Sequence, residues 1–328
     1  MKRFLTYRNL IAAVLSALPS SAVQADAVAS STEQKHIEAA CVGHSGFDIV
    51  GGHIAIVFNP GDYRVGAPAL CDWIARAALA VSDYYGRFPV PEVRLVLKPV
   101  DGTGAHGSTY GNSDDGKPLI AIRLGRDTSV AQLADDWVLT HEMVHLSVPS
   151  VPRRSHWLEE GIATYVEPIA RLQRGELSQA RVWADMLHGM RKGLPAQGDH
   201  GLEITHTWGR TYWGGALFCL MADVQIHART DNRKGLQDAL RGVLAAGGSI
   251  RVDWPVARVL ATGDEATGTT VLSELYGKLS DSAAPSDAEL DALWQTLGVQ
   301  ADGDSVRFDD RAPLAASRRA ITAGARAD

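Results

Sequence analysis

Apolar and polar residues alternate in the first third of this chain, and they recur at helical spacing after it. Alternation over residues 46–59, Glu92–Leu97 and Pro118–Leu124 predicts three short strands. Between the first two strands, Gly66–Tyr85 carries an apolar stripe that predicts a helix, formed by Leu70, Ile74, Ala78 and Val81. The segment before the third strand is rich in glycine, aspartate and serine, which predicts a loop.

Helices are predicted over most of the chain after residue 128. Ser129, with Gln132 three residues later, fits a capping box and begins a helix with a stripe at spacings of four: Leu133, Trp137, His141 and His145. A second helix is predicted from about Ser155, and a third around Tyr212. Shorter helices are predicted beyond these, at Leu236–Leu244, Gly268–Leu279 and Ala288–Leu297, with a helix or tail from Arg311 onward.

This order of elements predicts an α+β fold in which a small N-terminal mixed sheet packs on a mainly helical C-terminal half. We assign residues 26–128 to the α/β part, 129–282 to the helical part and 283–328 to a C-terminal helix and tail. A cleft is expected between the sheet and the helices. The helix that ends near His145 should form its floor.

The first 25 residues are typical of a signal peptide. Basic residues at Lys2, Arg3 and Arg8 precede the apolar run Leu10–Leu18, and Val23–Ala25 fits a cleavage site. The apolar run is too short to cross a bilayer, and no later segment is long and apolar enough to do so. The mature protein is therefore expected in the periplasm or outside the cell.

Composition and charge narrow the range of partners. The chain has 328 residues and a net charge of -6, without a long basic run, which argues against nucleic-acid binding. Of its three cysteines, Cys41 and Cys71 could pair in an oxidising compartment, and Cys219 is expected as a buried thiol. The spacing of Cys41 and Cys71 does not by itself establish a disulfide. The sequence does not indicate the oligomeric state.

The segment His141-Glu142-Met143-Val144-His145 carries the clearest chemical signal. On a helix, residues four apart share a face, so His141 and His145 can direct two imidazoles at one metal ion. Neutral imidazole suits Zn²⁺, and a third protein ligand would leave the fourth position to water. Glu142 would lie beside that water, where a carboxylate can act as general base.

The residues downstream resemble gluzincin metallopeptidases, and most closely the glycyl aminopeptidase family, over about residues 75–245. The similarity lies in the order of three segments: His141–His145, Trp157–Ala163 and Tyr212–Ala216. It implies a thermolysin-like catalytic domain that binds one Zn²⁺ per chain. It also implies that Glu160 is the third metal ligand and that Tyr212 stabilises the oxyanion.

Two features depart from that family. Fourteen residues separate His145 from Glu160, a shorter spacer than in the larger aminopeptidases. In those enzymes an upstream acidic segment grips the free amine of the substrate, but residues 102–111 of this chain contain no acid. The choice between exopeptidase and endopeptidase therefore stays open.

Several further residues are candidates around the site. By analogy with thermolysin-like folds, the strand containing Ile120, Ala121 and Ile122 could lie at the sheet edge and pair with an extended substrate, or could be an interior strand. His106 could border the cleft. Glu167, two helical turns after Glu160, could accept the free ring N–H of a ligand histidine, or could be a solvated surface residue.

The sequence as a whole predicts an exported zinc metallopeptidase that acts on a peptide or protein substrate. Two alternatives remain. One is a zinc-bearing protein that has lost catalysis and binds peptides or a partner. The other is a zinc hydrolase for a non-peptide amide, such as a cell-wall component.

Overall fold

The structure, a computed structural model, describes residues 32–39, 41–42 and 45–323. The predicted signal peptide, residues 1–25, lies outside the described residues, as does the end of the chain from residue 324. The described part combines one mixed sheet with many helices, which confirms the α+β prediction.

Five strands form the sheet, in the order β1-β2-β3-β5-β4. They are β1 (Gly46–Ile49), β2 (Gly52–Phe58), β3 (Glu92–Val100), β4 (Ala105–Tyr110) and β5 (Leu119–Gly125). The pairs β2–β3 and β3–β5 are parallel, and the two outer pairs are antiparallel. Residues 46–59, predicted as one strand, form a hairpin whose turn includes Gly51 at a positive φ of 90°.

The substrate strand proposed from the sequence is not at the sheet edge. β5 pairs with β3 on one side and with β4 on the other, and Ile120 and Ile122 are fully buried. On this side the sheet ends in β4, which lies in the segment predicted as a loop. Its residues, Ala-His-Gly-Ser-Thr-Tyr, show no apolar alternation, so their pattern does not predict a strand.

Two helices pack near the start of the sheet. Residues 32–39 are helical (α1), and α2 spans Ala67–Tyr85, in agreement with the predicted helix. Gly66 precedes α2, and Gly86 ends it in the left-handed conformation, which suits a residue without a Cβ. A disulfide joins Cys41 to Cys71 on α2, which realises the pairing that the sequence left open.

The remaining helices build the second half of the molecule. They are α3 (Val130–Asp135), α4 (Val138–His145), α5 (His156–Gln173), α6 (Gln179–Met190), α7 (Gly215–Arg229), α8 (Leu236–Ala245), α9 (Val256–Thr267), α10 (Val271–Leu279), α11 (Asp287–Leu297) and α12 (Ala315–Ala323). A small hairpin, β6 (Val299–Asp302) and β7 (Ser305–Phe308), lies between the last two helices. None of the described helices combines the length and apolar character needed to cross a membrane.

The helix predicted from Ser129 to His145 is interrupted. The Ser129–Gln132 capping box is present, but α3 ends at Asp136, whose backbone is extended. The Asp136 carboxylate accepts hydrogen bonds from the indole of Trp73 and from the backbone N–H of Leu139, at 3.0 and 3.2 Å. Asp136 therefore anchors the start of α4 to α2, and α4 is a separate helix that carries both histidines.

Candidate metal centre

α4 places His141 and His145 on one face, as the spacing of four predicts. Their rings lie edge to face with centroids 5.0 Å apart. His141 is buried and His145 is half-buried. Two imidazoles held this way in the protein interior can act together on one ion, provided that a third ligand faces them.

Glu160 on α5 supplies that third group. Its Oε2 lies 3.2 Å from Nε2 of His141 and 3.5 Å from Nε2 of His145. One donor atom from each of the three residues lies within 4.8 Å of the others. Two imidazole nitrogens and one carboxylate oxygen form the ligand set typical of catalytic zinc, so the residues present fit this metal.

The electrostatics of two of these groups, His141 and Glu160, suit a cation. Burial lowers the pKa of His141, which favours the neutral ring that binds metals. Burial alone would raise the pKa of Glu160, but hydrogen bonds with His141, His145 and His156 bring it far below its ordinary value. The Glu160 carboxylate is therefore negatively charged in the folded protein at neutral pH.

A third histidine, His156, contacts the other side of the Glu160 carboxylate. Its Nε2 lies 3.1 Å from Glu160 Oε1, and its Nδ1 lies 2.7 Å from Glu159 Oε2. Hydrogen bonds to these two carboxylates raise the pKa of His156 to about 10. Glu159 in turn accepts a hydrogen bond of 2.9 Å from the backbone N–H of Val151. This chain of contacts ties the Glu160 carboxylate to the loop before α5.

Glu142 lies against the edge strand β4. The hydroxyl of Thr109 is 2.6 Å from Glu142 Oε2 and 2.9 Å from its backbone carbonyl oxygen. A Cβ on Gly107 would fall 2.4 Å from Glu142 Cγ, so only glycine leaves room for this side chain. β4 therefore fixes the position of the predicted general base.

Tyr212 reaches the site from a π-helical turn, Arg210–Gly214, that continues directly into α7. Its ring stacks on His141 with centroids 6.3 Å apart and an interplanar angle of 19°. Burial, reinforced by the charge of Glu160, raises the pKa of Tyr212 to about 12. The phenol therefore keeps its proton at neutral pH.

Two glycines let the helices that carry Glu160 and Tyr212 approach each other. A Cβ on Gly161 would lie 2.3 Å from the carbonyl carbon of Gly215, and one on Gly215 would lie 2.2 Å from the carbonyl oxygen of Trp157. No side chain can be accommodated at this crossing without backbone movement. The close contact brings the two elements together next to the site.

The cleft in front of these residues has a volume of about 380 Å³. Residues 107–111, in the second half of β4 and just after it, form one wall. The floor includes His141, Glu142 and His145. Glu160 and Tyr212 complete the lining on the helical side. The structure therefore brings together five predicted site residues: His141, Glu142, His145, Glu160 and Tyr212.

The other predicted residues do not join this group. Ile120 and Ile122 are buried inside the sheet, and Ala121, between them on β5, does not line the cleft. His106 is exposed on β4 and is also not part of the cleft lining. Glu167 is buried in an ion pair of 2.8 Å with Arg171, and in the described structure it bonds to neither ligand histidine.

The site also contains residues that the sequence did not indicate. Thr109 lies on a strand without apolar alternation, and His156 lies outside the ligand pattern. Glu159 also lines the cleft. Arg210, two residues before Tyr212, forms a buried ion pair of 3.0 Å with Asp199. Only the family pattern singles out Tyr212, which lies on a π-helical turn.

Comparison with solved structures adds an independent observation on the fold. The chain is similar to an aminopeptidase N family protein from Idiomarina loihiensis, with a TM-score of 0.58 and 15% identity over 77% of this chain and 49% of that one. Its fold is therefore similar to that of an aminopeptidase N family protein. The chain spans about half the length of this neighbour. No protein-family model and no curated protein matches the sequence.

Further structural neighbours carry related descriptions. An M1 zinc metallopeptidase from Deinococcus radiodurans matches with a TM-score of 0.47 and 15% identity, over 74% of this chain and 52% of that one. A variant of the Deinococcus radiodurans metallopeptidase bound to a Tyr-Ser-Ala substrate matches with a TM-score of 0.48 and 14% identity over the same shares.

Proposed function

We propose that this protein is a zinc-dependent metallopeptidase that hydrolyses peptide bonds, with Glu142 as general base. The observation that supports it most strongly is that three metal-binding side chains, a carboxylate and a protonated phenol line one cleft. The similarity in fold to an aminopeptidase N family protein agrees with this class.

The residues divide the chemistry among themselves. His141, His145 and Glu160 would hold the zinc, which when bound lowers the pKa of a water molecule and polarises a carbonyl. Glu142 accepts the proton of the attacking water at Oε1, since its Oε2 is bound by the Thr109 hydroxyl. The same carboxyl then returns the proton to the leaving amine.

Tyr212 and β4 act on the substrate itself. The phenol of Tyr212 donates a hydrogen bond to the carbonyl oxygen as negative charge develops there. β4 ends the sheet, so its outer edge can add an extended peptide through backbone hydrogen bonds. Binding of this kind holds a peptide regardless of its side chains.

We also propose that the protein acts outside the cytoplasm. The signal-peptide features of residues 1–25 and the Cys41–Cys71 disulfide both support this, because disulfides persist in oxidising compartments. The test is the N-terminus of the exported protein, which should begin near Asp26. A mature protein that still carries residues 1–25 in the cytoplasm would refute this part of the proposal.

The deciding experiment compares the zinc-loaded protein with Glu142→Gln on a mixed peptide library. The amide cannot take the proton, so activity should fall at least about 100-fold while zinc content stays the same. The exposed Glu265, on α9, provides a matched control as Glu265→Gln. Full activity in a zinc-bound Glu142→Gln protein would refute the general-base role.

The same assay separates the remaining alternatives when each peptide is offered with a free and with an acetylated N-terminus. β4 contains no acid that could bind a free amine. Cleavage of acetylated peptides identifies an endopeptidase, and cleavage of free-amine peptides alone identifies an aminopeptidase. A zinc-loaded protein that cleaves neither would contradict the peptidase proposal and favour a binding protein or a non-peptide amidase.

A further inference from the structure

A second compartment, of about 420 Å³, adjoins the metal centre. His141 and Tyr212 line both this compartment and the cleft beside β4, whereas no residue of β4 lines the second one. The two spaces therefore meet at the groups that would surround the scissile carbonyl. A substrate that is bound along β4 would reach the second compartment with a group next to that carbonyl.

The walls of this compartment are unusually aromatic. Of the eight tryptophans in the chain, five are buried, but Trp208 is 62% exposed and Trp137 is 53% exposed. These two exposed indoles and the half-buried Trp213 all line this one compartment. We call these three tryptophans the aromatic pocket. Indoles left open to water next to a cleft mark a surface that a ligand covers.

Both exposed indoles contact residues of the proposed catalytic centre. Trp208 stacks on Tyr212 with ring centroids 5.8 Å apart at 27°. Trp137 meets His141 edge to face, with centroids 5.3 Å apart. An occupant of the aromatic pocket would thus lie beside the reacting bond rather than at a remote subsite.

The charged side chains of the compartment are largely paired with each other. Glu167 pairs with Arg171 at 2.8 Å, and Arg181 pairs with Asp135 at 2.5 Å. Lys192 lies over the ring of Trp213, at 5.6 Å from its centroid. The two ion pairs are internally balanced, and the exposed indole faces offer a neutral flat group a surface on which to stack.

We propose that the aromatic pocket binds an aromatic side chain of the substrate residue that adjoins the scissile bond. This inference rests on the proposed peptidase function and names its preferred substrate class. Aromatic rings stack face to edge or offset on indole, and such contacts add to the area that they bury. Trp208 is then the main specificity-determining residue, because it is the most exposed of the three.

The test uses two series of peptides. In one series the residue before the cleaved bond is Ala, Leu or Phe, and in the other the residue after it is varied in the same way. The readout is the ratio of kcat/KM for the Phe peptide to that for the Ala peptide. The wild-type ratio should exceed about 10 in one series, and Trp208→Ala should lower it at least about 10-fold. Trp208→Phe should retain most of the preference, since a ring remains.

Phe58 provides the matched control, because it is an exposed aromatic residue that lines neither compartment. The Phe58→Ala protein should keep the wild-type ratio. A Trp208→Ala protein that loses activity equally on all peptides would overturn the inference, because Trp208 would then serve only to support Tyr212. A wild-type ratio near 1 in both series would overturn it as well.

A binding measurement separates this inference from the peptidase proposal. Tryptophan fluorescence of the Glu142→Gln protein is titrated with N-acetylphenylalanine amide and with N-acetylglucosamine. Quenching by the phenylalanine amide, weakened at least about 10-fold by Trp208→Ala, supports the pocket even if no peptide is cleaved. Quenching by the sugar alone would overturn the inference in favour of a glycan substrate.

Discussion

Glu160 and His156 contact each other on the side of the carboxylate that faces away from His145. Oε1 of Glu160 lies 3.1 Å from Nε2 of His156, while its Oε2 is the atom near the histidines of α4. Glu159 holds His156 in turn, and Glu159 itself accepts a hydrogen bond from the backbone N–H of Val151. The candidate ligand is therefore oriented by its own surroundings before any metal binds, as outer partners do for metal ligands.

Gly161→Ala should destabilise the fold and disturb Glu160. The new Cβ would fall 2.3 Å from the Gly215 carbonyl carbon, so α5 and α7 would have to separate. We expect a loss of about 1–3 kcal/mol in the free energy of unfolding, together with weaker zinc binding. Denaturant unfolding and zinc titration measure the two effects.

Gly277→Ala is the matched control for that substitution. Gly277 lies inside α10, and a Cβ there would meet no atom within 4 Å. It should raise stability by about 0.5–1 kcal/mol. If Gly161→Ala were as stable as Gly277→Ala, the tight crossing at Gly161 would not exist in solution.

Tyr212→Phe should lower kcat by about 100-fold or more and change KM little, because the phenol acts on the charge of the transition state. Steady-state kinetics on one good peptide measure this. Tyr63→Phe is the control, since the Tyr63 hydroxyl is buried without a hydrogen-bond partner among the described residues. A Tyr212→Phe protein with normal kcat and raised KM would show that the phenol only binds the substrate.

Loss of the Cys41–Cys71 bond should destabilise the protein. The bond spans a sequence separation of 30 residues, for which loop-closure entropy gives a loss of about 3–4 kcal/mol. The Cys41→Ser/Cys71→Ser protein should unfold at lower denaturant than the oxidised wild type and should not respond to dithiothreitol. If the oxidised wild type unfolded at the same denaturant concentration as the double variant, either the disulfide would not form or it would not stabilise the fold.

Ionisation of the buried Glu167 carboxyl should lower the free energy of unfolding as pH rises. Burial raises the pKa of this carboxyl from 4.5 to about 7, above its value in the unfolded chain. Between those values the folded protein keeps a proton that the unfolded chain releases. Its contribution is therefore complete below about pH 4.5 and lost as pH rises through 7, and is on the order of 3 kcal/mol.

The comparison of wild type with Glu167→Gln at pH 5 and pH 8 isolates this effect. The amide does not titrate, so the variant should gain stability relative to the wild type at the higher pH. The exposed Glu265 provides the control, and Glu265→Gln should show no such change. If the difference in free energy of unfolding between the wild type and Glu167→Gln were the same at both pH values, Glu167 would ionise normally in the folded protein.

Local spacing was enough to predict the pairing of His141 with His145, because one helical turn brings residues four apart to the same face. The capping box at Ser129 and the helix over residues 66–85 were equally local, and both are confirmed. The approach of Glu160 depends on the packing of α5 on α4. Only the resemblance to a known family predicted that long-range contact.

The errors arose where tertiary contacts decide the structure. β4 is a strand because it pairs with β5 and covers Glu142, although its own residues favour a loop. Glu167 lies on the same face of α5 as Glu160, but it forms an ion pair with Arg171, which lies one turn further along the helix. The break at Asp136 follows from its bonds to Trp73 and Leu139, and the first of these is distant in sequence.

Calorimetric titration of Zn²⁺ into the metal-free protein tests the central claim most directly. The wild type should bind one ion per chain, and Glu160→Gln should weaken that binding by at least about 100-fold, while Glu265→Gln leaves it unchanged. Absence of zinc binding by the wild type, or equal affinity in the Glu160→Gln protein, would contradict a metal centre formed by His141, His145 and Glu160.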